Sequence, residues 1–190
     1  MFNSPVIVIG PPRSGTTMTA RVLQDWFGIL MDGAPMKPDK VINPYGWYED
    51  ARLVQMNSLF LNGQMGRTLD IRLKAWTRRF KRFIRSMEKF DRPWGFKDPR
   101  IVPLFSYALT FFKSPTIIRC HRPKEMVVKS YIEKLKWDEQ TALRRYDNDE
   151  QSLDIQLKNR MHYRIDFKDY VSEEQILNFF QDTEIIRHAT

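Results

Sequence analysis

The stretch Gly10-Pro11-Pro12-Arg13-Ser14-Gly15-Thr16-Thr17 gathers residue types that can hold an anion. Its glycines and prolines forbid a regular element, its hydroxyls donate hydrogen bonds, and Arg13 brings a fixed positive charge. Four apolar residues, Val6 to Ile9, precede it and read as a short buried strand, while helical spacing begins at Thr16. Strand, turn and helix in that order make a cradle in which backbone N–H groups and the positive helix end converge on a phosphate. Gly10 to Thr17 has the spacing G-x-x-x-x-G-K-[ST] of a nucleoside triphosphate loop, with Thr16 in place of the lysine. That lysine serves the β- and γ-phosphates, so its loss argues against ATP or GTP hydrolysis. The plainer alternative is a turn whose glycines only reverse the chain.

A second anion set lies about 110 residues further on. Arg122 closes the apolar run that starts at Pro115, and Pro123 suits the first position of a new helix. Ser130 falls two turns into that helix, on the face of Pro123 and Val127. A planar guanidinium and a hydroxyl on one side suit a second phosphate. Between the two sets, Lys97 and Asp98 follow a short strand around Phe96 and run into a turn at Pro99.

The elements that would position these residues alternate along the chain. Helices are expected from Thr16 to about Ile29 (apolar at Ala20, Leu23, Phe27, Leu30), around Leu53 to Phe60, and over Asp70–Phe90. Others follow over Ile101–Phe112, from Pro123 past Leu135, over Asp138–Asn159, and from Ser172 to the Phe179-Phe180 pair. On Asp70–Phe90 the residues Trp76, Phe80, Phe83, Met87 and Phe90 form a core stripe, with basic residues around the other side. Ser172 with Gln175 is a capping box, and Glu173-Glu174 complement the helix dipole. Strands are expected at Val6–Ile9, around Phe96, over Pro115–His121 and over His162–Phe167, and Met31–Tyr45 reads as an exposed loop. This alternation predicts a three-layer α/β/α domain with a mainly parallel central sheet, residues 1–190 forming a single domain. In such sheets the ligand lies beyond the carboxyl ends of the strands. The turns at Arg13, Lys97 and Arg122 would therefore share one edge.

Composition sets the outer limits. With 42% hydrophobic and 28% charged residues the chain is globular rather than disordered. No apolar run reaches the ~20 residues of a membrane span, the first strand follows Met1-Phe2-Asn3-Ser4 too closely for a leader, and a cytoplasmic location is expected. The single cysteine, Cys120, rules out an internal disulfide and reads as a buried inert thiol. The net charge is +8, and Asp70 to Arg92 alone carries nine cations against three anions. Such a segment favours anionic partners or is simply a solvated helix face.

The pattern Pro12-Arg13-Ser14-Gly15-Thr16-Thr17 resembles the 5′-phosphosulfate loop, P-[KR]-S-G-T-T, of sulfotransferases that use 3′-phosphoadenosine 5′-phosphosulfate (PAPS). Arg122 to Ser130 resembles the 3′-phosphate motif of that family. Trp94-Gly-Phe-Lys-Asp-Pro-Arg100 is similar to the K-D-P-R segment of its bacterial and carbohydrate-type members. Asn43-Pro-Tyr-Gly-Trp-Tyr-Glu49 is similar to their N-x-x-G-[FWY]-[FWY]-E stretch, and Tyr163 to Tyr170 to their Y-E-D-L region. The resemblance runs from about Val6 to Phe180 and implies a P-loop NTPase-like fold.

It also implies roles. Pro12, Arg13, Ser14, Gly15, Thr16 and Thr17 would bind the 5′-phosphate, and Arg122 and Ser130 the 3′-phosphate. Arg13 and Lys97 would hold the sulfonate in line and neutralise the leaving oxygen. Glu49, or after it Asp98, would take the proton of a hydroxyl acceptor, a saccharide being one such acceptor. His121 reads as structural. No metal is implied, and the product would be 3′,5′-adenosine bisphosphate. The late R-K-G-x-x-G segment of the cytosolic branch is missing, and Met18 stands where that branch has an aromatic, so no adenine contact is carried over. Two other readings remain open. One is a P-loop nucleotide or small-molecule kinase using Mg-ATP, with another lysine replacing the one lost at Thr16. The other is a non-catalytic module whose basic helix binds nucleic acid, which is not the expected partner.

Overall fold

Val6–Ile9 forms strand β1 because its branched side chains fill both faces of a sheet: Val6 and Val8 enter one core cluster, Ile7 and Ile9 the other. The computed structural model describes residues 4–37, 46–168 and 170–183. Asn43, Pro44 and Tyr45 of the aromatic stretch, the later part of the Met31–Tyr45 loop and Asp169 lie outside them. Strands β2 (Gly95–Lys97), β3 (Thr116–His121) and β4 (Tyr163–Asp166) complete a four-stranded sheet of order β2-β1-β3-β4. Every pairing is parallel, with Val8 opposite both Lys97 and Ile118, and His121 opposite Asp166. All four carboxyl ends therefore lie along one edge, as the alternation of elements requires.

The helices are α1 (Thr16–Phe27), α2 (Ala51–Leu61), α3 (Leu69–Met87), α4 (Phe105–Leu109), α5 (Lys124–Leu135), α6 (Glu139–Leu157) and α7 (Glu173–Thr183). Residues of α1 and α7 pack with Val6 and Val8 on one face of the sheet, and residues of α2, α3, α4 and α6 with Ile7 and Ile9 on the other. The fold is α/β, three-layered and P-loop-like. Around Phe80, the rings of Trp76, Phe83, Phe96, Phe111 and Phe112 lie 4.5–6.1 Å centroid to centroid, so aromatic packing fixes α3 against β2. The capping box forms at α7: Gln175 N donates to Ser172 Oγ at 3.1 Å and Ser172 N to Gln175 Oε1 at 3.2 Å.

Four local expectations are corrected. Helix α1 stops at Phe27 because Gly28 takes a left-handed φ of 67°, and Ile29–Met31 then runs extended into the core, Leu30 bridging Trp94. Met31 is thus buried rather than part of an exposed loop. In place of one helix over Ile101–Phe112 there is a 3-10 segment, Pro99–Leu104, followed by α4. Pro103 has no N–H to give to a helical ladder, which accounts for the tighter turn. Finally, α3 ends at Met87, so Phe90 leaves the core stripe and is exposed.

Candidate active site

The loop after β1 is shaped by two residues with positive φ, Arg13 at 69° and Gly15 at 97°. The arginine accepts a conformation that costs an ordinary residue roughly 1 kcal/mol. Its guanidinium thereby reaches across the sheet edge, where Nε donates to Ser130 Oγ on α5 at 2.9 Å. Gly15 must be glycine for a second reason, since a Cβ there would lie 2.5 Å from the Phe167 ring. Ser14 turns inward and donates to the Pro11 carbonyl at 2.7 Å, so its hydroxyl tightens the loop. Pro12 is half-buried, and Thr16 is buried at the first position of α1. No side chain caps α1, so its first-turn N–H groups, including those of Thr16 and Thr17, point at whatever the loop encloses.

Arg122 stands just beyond β3 and directs Nη1 to the Arg13 carbonyl at 3.5 Å, while its own carbonyl accepts from Tyr146 at 3.1 Å. Arg13 is thus brought together with Arg122 and Ser130 from 109 and 117 residues away. Burial and the neighbouring charge of Arg122 hold the Arg13 guanidinium below its ordinary value. An anion placed between these two groups would offset the charge effect.

Next to this site, β2 delivers Lys97. Its side chain is buried, and Nζ donates to Thr17 Oγ1 at 2.9 Å and to Glu49 Oε1 at 2.6 Å. A cation from the neighbouring strand thus stands beside the loop, next to Thr17. Glu49, only 4% exposed, is gripped on its other oxygen by Arg100 Nη2. Its immediate partners are thus two cations rather than the Trp47 and Tyr48 rings; the Tyr48 hydroxyl donates to Asp25 instead.

Asp98 is fully committed. Oδ1 accepts from the Arg100 N–H at 3.0 Å and Arg100 Nε at 2.7 Å, and Oδ2 from Asn57 Nδ2 at 2.8 Å, with Trp76 Nε1 bracing Asn57 Oδ1 at 2.8 Å. Burial pushes this carboxyl above the ordinary range, Arg100 pulls it back and the charge of Glu49 pushes it up. Asp98 therefore caps the 3-10 segment and aims Arg100, which in turn holds Glu49.

Arg100 and Asn57 were not assigned from sequence. The K-D-P-R run carried a signal for Arg100, because a carboxylate two residues before an arginine at a helix start can both cap and grip it. Asn57 gave no such signal. The same holds for Arg119, buried in β3 and ion-paired to Glu150 and to Asp154 at 2.7 Å. His121 sits 3.5 Å from Glu150, consistent with a structural part. Cys120 accepts or donates one hydrogen bond with Thr19 at 3.2 Å, and burial pushes its thiol up to about 12, so it is no nucleophile.

No family model and no curated protein sequence matches the chain. Solved structures do resemble it in fold. TT1252 from Thermus thermophilus superposes with a TM-score of 0.56 at 13% identity, over 98% of this chain and 99% of that one. Sulfotransferase STF1 from Mycobacterium tuberculosis H37Rv superposes with a TM-score of 0.50 at 14% identity, over 99% of this chain and 67% of that one. A Chloroflexus aurantiacus protein described provisionally as a kinase gives 0.47 at 12% identity, too distant to weigh. At these identities the likeness establishes the fold, one that is also found in a sulfotransferase.

Proposed function

We propose that the protein is a PAPS-dependent sulfotransferase that sulfates a hydroxyl acceptor. The observation that carries this reading is the joining of two anion sets at one sheet edge. Arg13 of the phosphate loop donates to Ser130 at 2.9 Å with Arg122 alongside, while Lys97 stands against Thr17 on the loop's other flank. A ligand with phosphates at two separated points suits that layout better than one with a single run of phosphates. The donor set also fits: loop N–H groups, hydroxyls and Arg13 with Lys97 for a 5′-phosphosulfate, Arg122 and the Ser130 hydroxyl for a 3′-phosphate. PAPS, when bound, supplies the sulfuryl group and departs as 3′,5′-adenosine bisphosphate.

The chain's own residues then have distinct tasks. Glu49 takes the acceptor's proton, Arg100 fixes the orientation of that carboxylate, and Asp98 fixes Arg100. Lys97 and Arg13 neutralise negative charge where the sulfur–oxygen bond breaks as the new one forms. Acceptor access would be from the side of Arg100, which is partly exposed, whereas Lys97 and Asp98 are closed off. A Mg-ATP kinase is the second reading, favoured only by the lysine that β2 brings to Thr17.

Thermal unfolding with 3′,5′-adenosine bisphosphate, beside Mg-ATP, tests the choice. A ligand at a hundred times its dissociation constant stabilises the fold by about 2.7 kcal/mol. The expected outcome is a shift with the bisphosphate that Arg122→Gln removes. A shift with Mg-ATP alone overturns the reading in favour of the kinase.

A further inference from the structure

We propose that the exposed face of α3, together with the corner where α2 turns into it, docks on an anionic lipid surface. Lys74, Arg78, Lys81, Arg82, Arg85 and Lys89 are all exposed. At 100° per residue the five within α3 fall inside a single third of the helix circumference, and Lys89, just past its end, continues the row. The row is roughly 22 Å long at 1.5 Å per residue. Among the described residues, the ion pair that this row makes is Lys74 with Asp70, at 2.9 Å and fully in solvent. The opposite face of α3 holds Trp76, Phe80, Phe83, Ile84 and Met87 in the core. The helix therefore presents its cations as a fixed row on a rigid support rather than as a mobile tail.

Charge alone would fit any polyanion, and a second feature separates the candidates. Two large aliphatic side chains are exposed near the amino end of the row: Ile71 at 51%, and Leu61 at 39% at the end of α2. Ile71 lies in line with the cations, since it precedes Arg78 by seven residues, two helical turns. Aliphatic side chains beside a basic row suit a bilayer, where they enter the acyl boundary while lysines and arginines meet lipid phosphates. A nucleic acid or an acidic polysaccharide gains nothing from leucine or isoleucine there. A single strand would instead stack on a series of exposed aromatic platforms, whereas the aromatic side chains of α3 are all buried and a lone ring, Phe90, is exposed just past Lys89. No helix among the described residues is long and apolar enough to cross a membrane, so the attachment would be peripheral.

Co-sedimentation of the full chain with phosphatidylcholine vesicles, with and without one third phosphatidylserine, tests this directly. Binding is expected only to the anionic vesicles and should weaken at high salt. The triple substitution Arg78→Gln, Arg82→Gln, Arg85→Gln should weaken it roughly a hundredfold, at about 1 kcal/mol per cation near the surface. Leu61→Ser with Ile71→Ser should weaken vesicle binding by about tenfold while leaving binding to dextran sulfate or duplex DNA unchanged. All five positions are solvent-exposed, so an unchanged unfolding temperature confirms that these variants fold. Absence of binding to anionic vesicles overturns the proposal. So does vesicle binding that ignores the aliphatic pair, which would reassign the row to a soluble polyanion.

Discussion

At the end of β2, the charges of Lys97, Glu49, Arg100 and Asp98 alternate in sign, each within hydrogen-bond reach of the next. At the end of β3 and in the loop after β1, Arg13 and Arg122 instead stand side by side with the same sign, Arg122 donating to the Arg13 carbonyl and Arg13 to the Ser130 hydroxyl. The first cluster is balanced by its own residues and holds the fold together while it positions Glu49. In the second, burial and, after it, the charge of Arg122 hold the Arg13 guanidinium below its ordinary value, and an anionic ligand would offset the like-charge part. The two groups of charges on one sheet edge thus differ in kind: one is paired internally, and the other sets two like charges side by side.

Breaking the balanced cluster should have the largest effect. Lys97→Met leaves Glu49 buried with one of its two cations gone, and Lys97 is itself 1% exposed. Removing one partner of such a pair costs about 3–5 kcal/mol, read by chemical denaturation. Transfer activity should fall roughly a thousandfold if Lys97 also neutralises the leaving oxygen. Adding Glu49→Gln to Lys97→Met should recover much of the stability and none of the activity. A Lys97→Met protein as stable as the parent would show that the cluster is not balanced in the way described.

Asp98→Asn comes next. The amide nitrogen would face donors only, from Arg100 or Asn57, so one hydrogen bond becomes a clash and the cap on Pro99–Leu104 weakens. The expected cost is about 2 kcal/mol in stability. If Asp98 positions rather than reacts, turnover should drop while the limb of the pH profile set by the base is kept, displaced only by the loss of the Asp98 charge. Disappearance of that limb would make Asp98 the base.

How much of this was legible beforehand depends on sequence distance. β1, the loop and α1 were readable because strand, turn and helix follow one another within about two dozen residues, each with its own local signal. The shared edge of Arg13, Lys97 and Arg122 followed from a parallel sheet alone. What surrounds Glu49 did not, because its partners come from 48 and 51 residues away and no pattern ties their side chains to it. Arg119 was hidden for the opposite reason: it sits in an apolar run, where a strand periodicity takes a lone cation as exposed, while α6 brings two carboxylates to bury it. Phe90 was misjudged by extending the 3.6-residue period past the last helical residue, Met87. Pro103 did mark the broken helix, since a proline inside a helical pattern removes a donor.

The like-charged pair should respond in the opposite sense to the balanced cluster. Arg122→Gln removes one of two mutually repelling guanidiniums, so the ligand-free protein should be within about 0.5 kcal/mol of the parent in stability. Stabilisation by 3′,5′-adenosine bisphosphate should nevertheless be lost. Loss of several kcal/mol without ligand would instead make Arg122 part of the structural framework and erase the distinction between the two clusters.

Ser130→Ala is the finest probe of that distinction. The hydroxyl accepts from Arg13 Nε at 2.9 Å and lies on α5, half-buried, so its removal leaves the guanidinium in place but less well oriented. A hydrogen bond to a charged group is worth about 1.5–3 kcal/mol when well made, and water can replace part of it at a partly open site. Bisphosphate affinity should therefore fall by roughly tenfold, about 1.4 kcal/mol, and the fold should barely change. Because Ser130 touches Arg13 and none of Lys97, Glu49 or Arg100, combining Ser130→Ala with Arg100→Lys should give additive losses. Combining it with Arg13→Gln should give a smaller further loss, since the part that acts through that guanidinium is gone and only the hydroxyl's own contact with the 3′-phosphate remains to be lost. Equal losses in both double variants would show that Ser130 acts on the ligand directly rather than through Arg13.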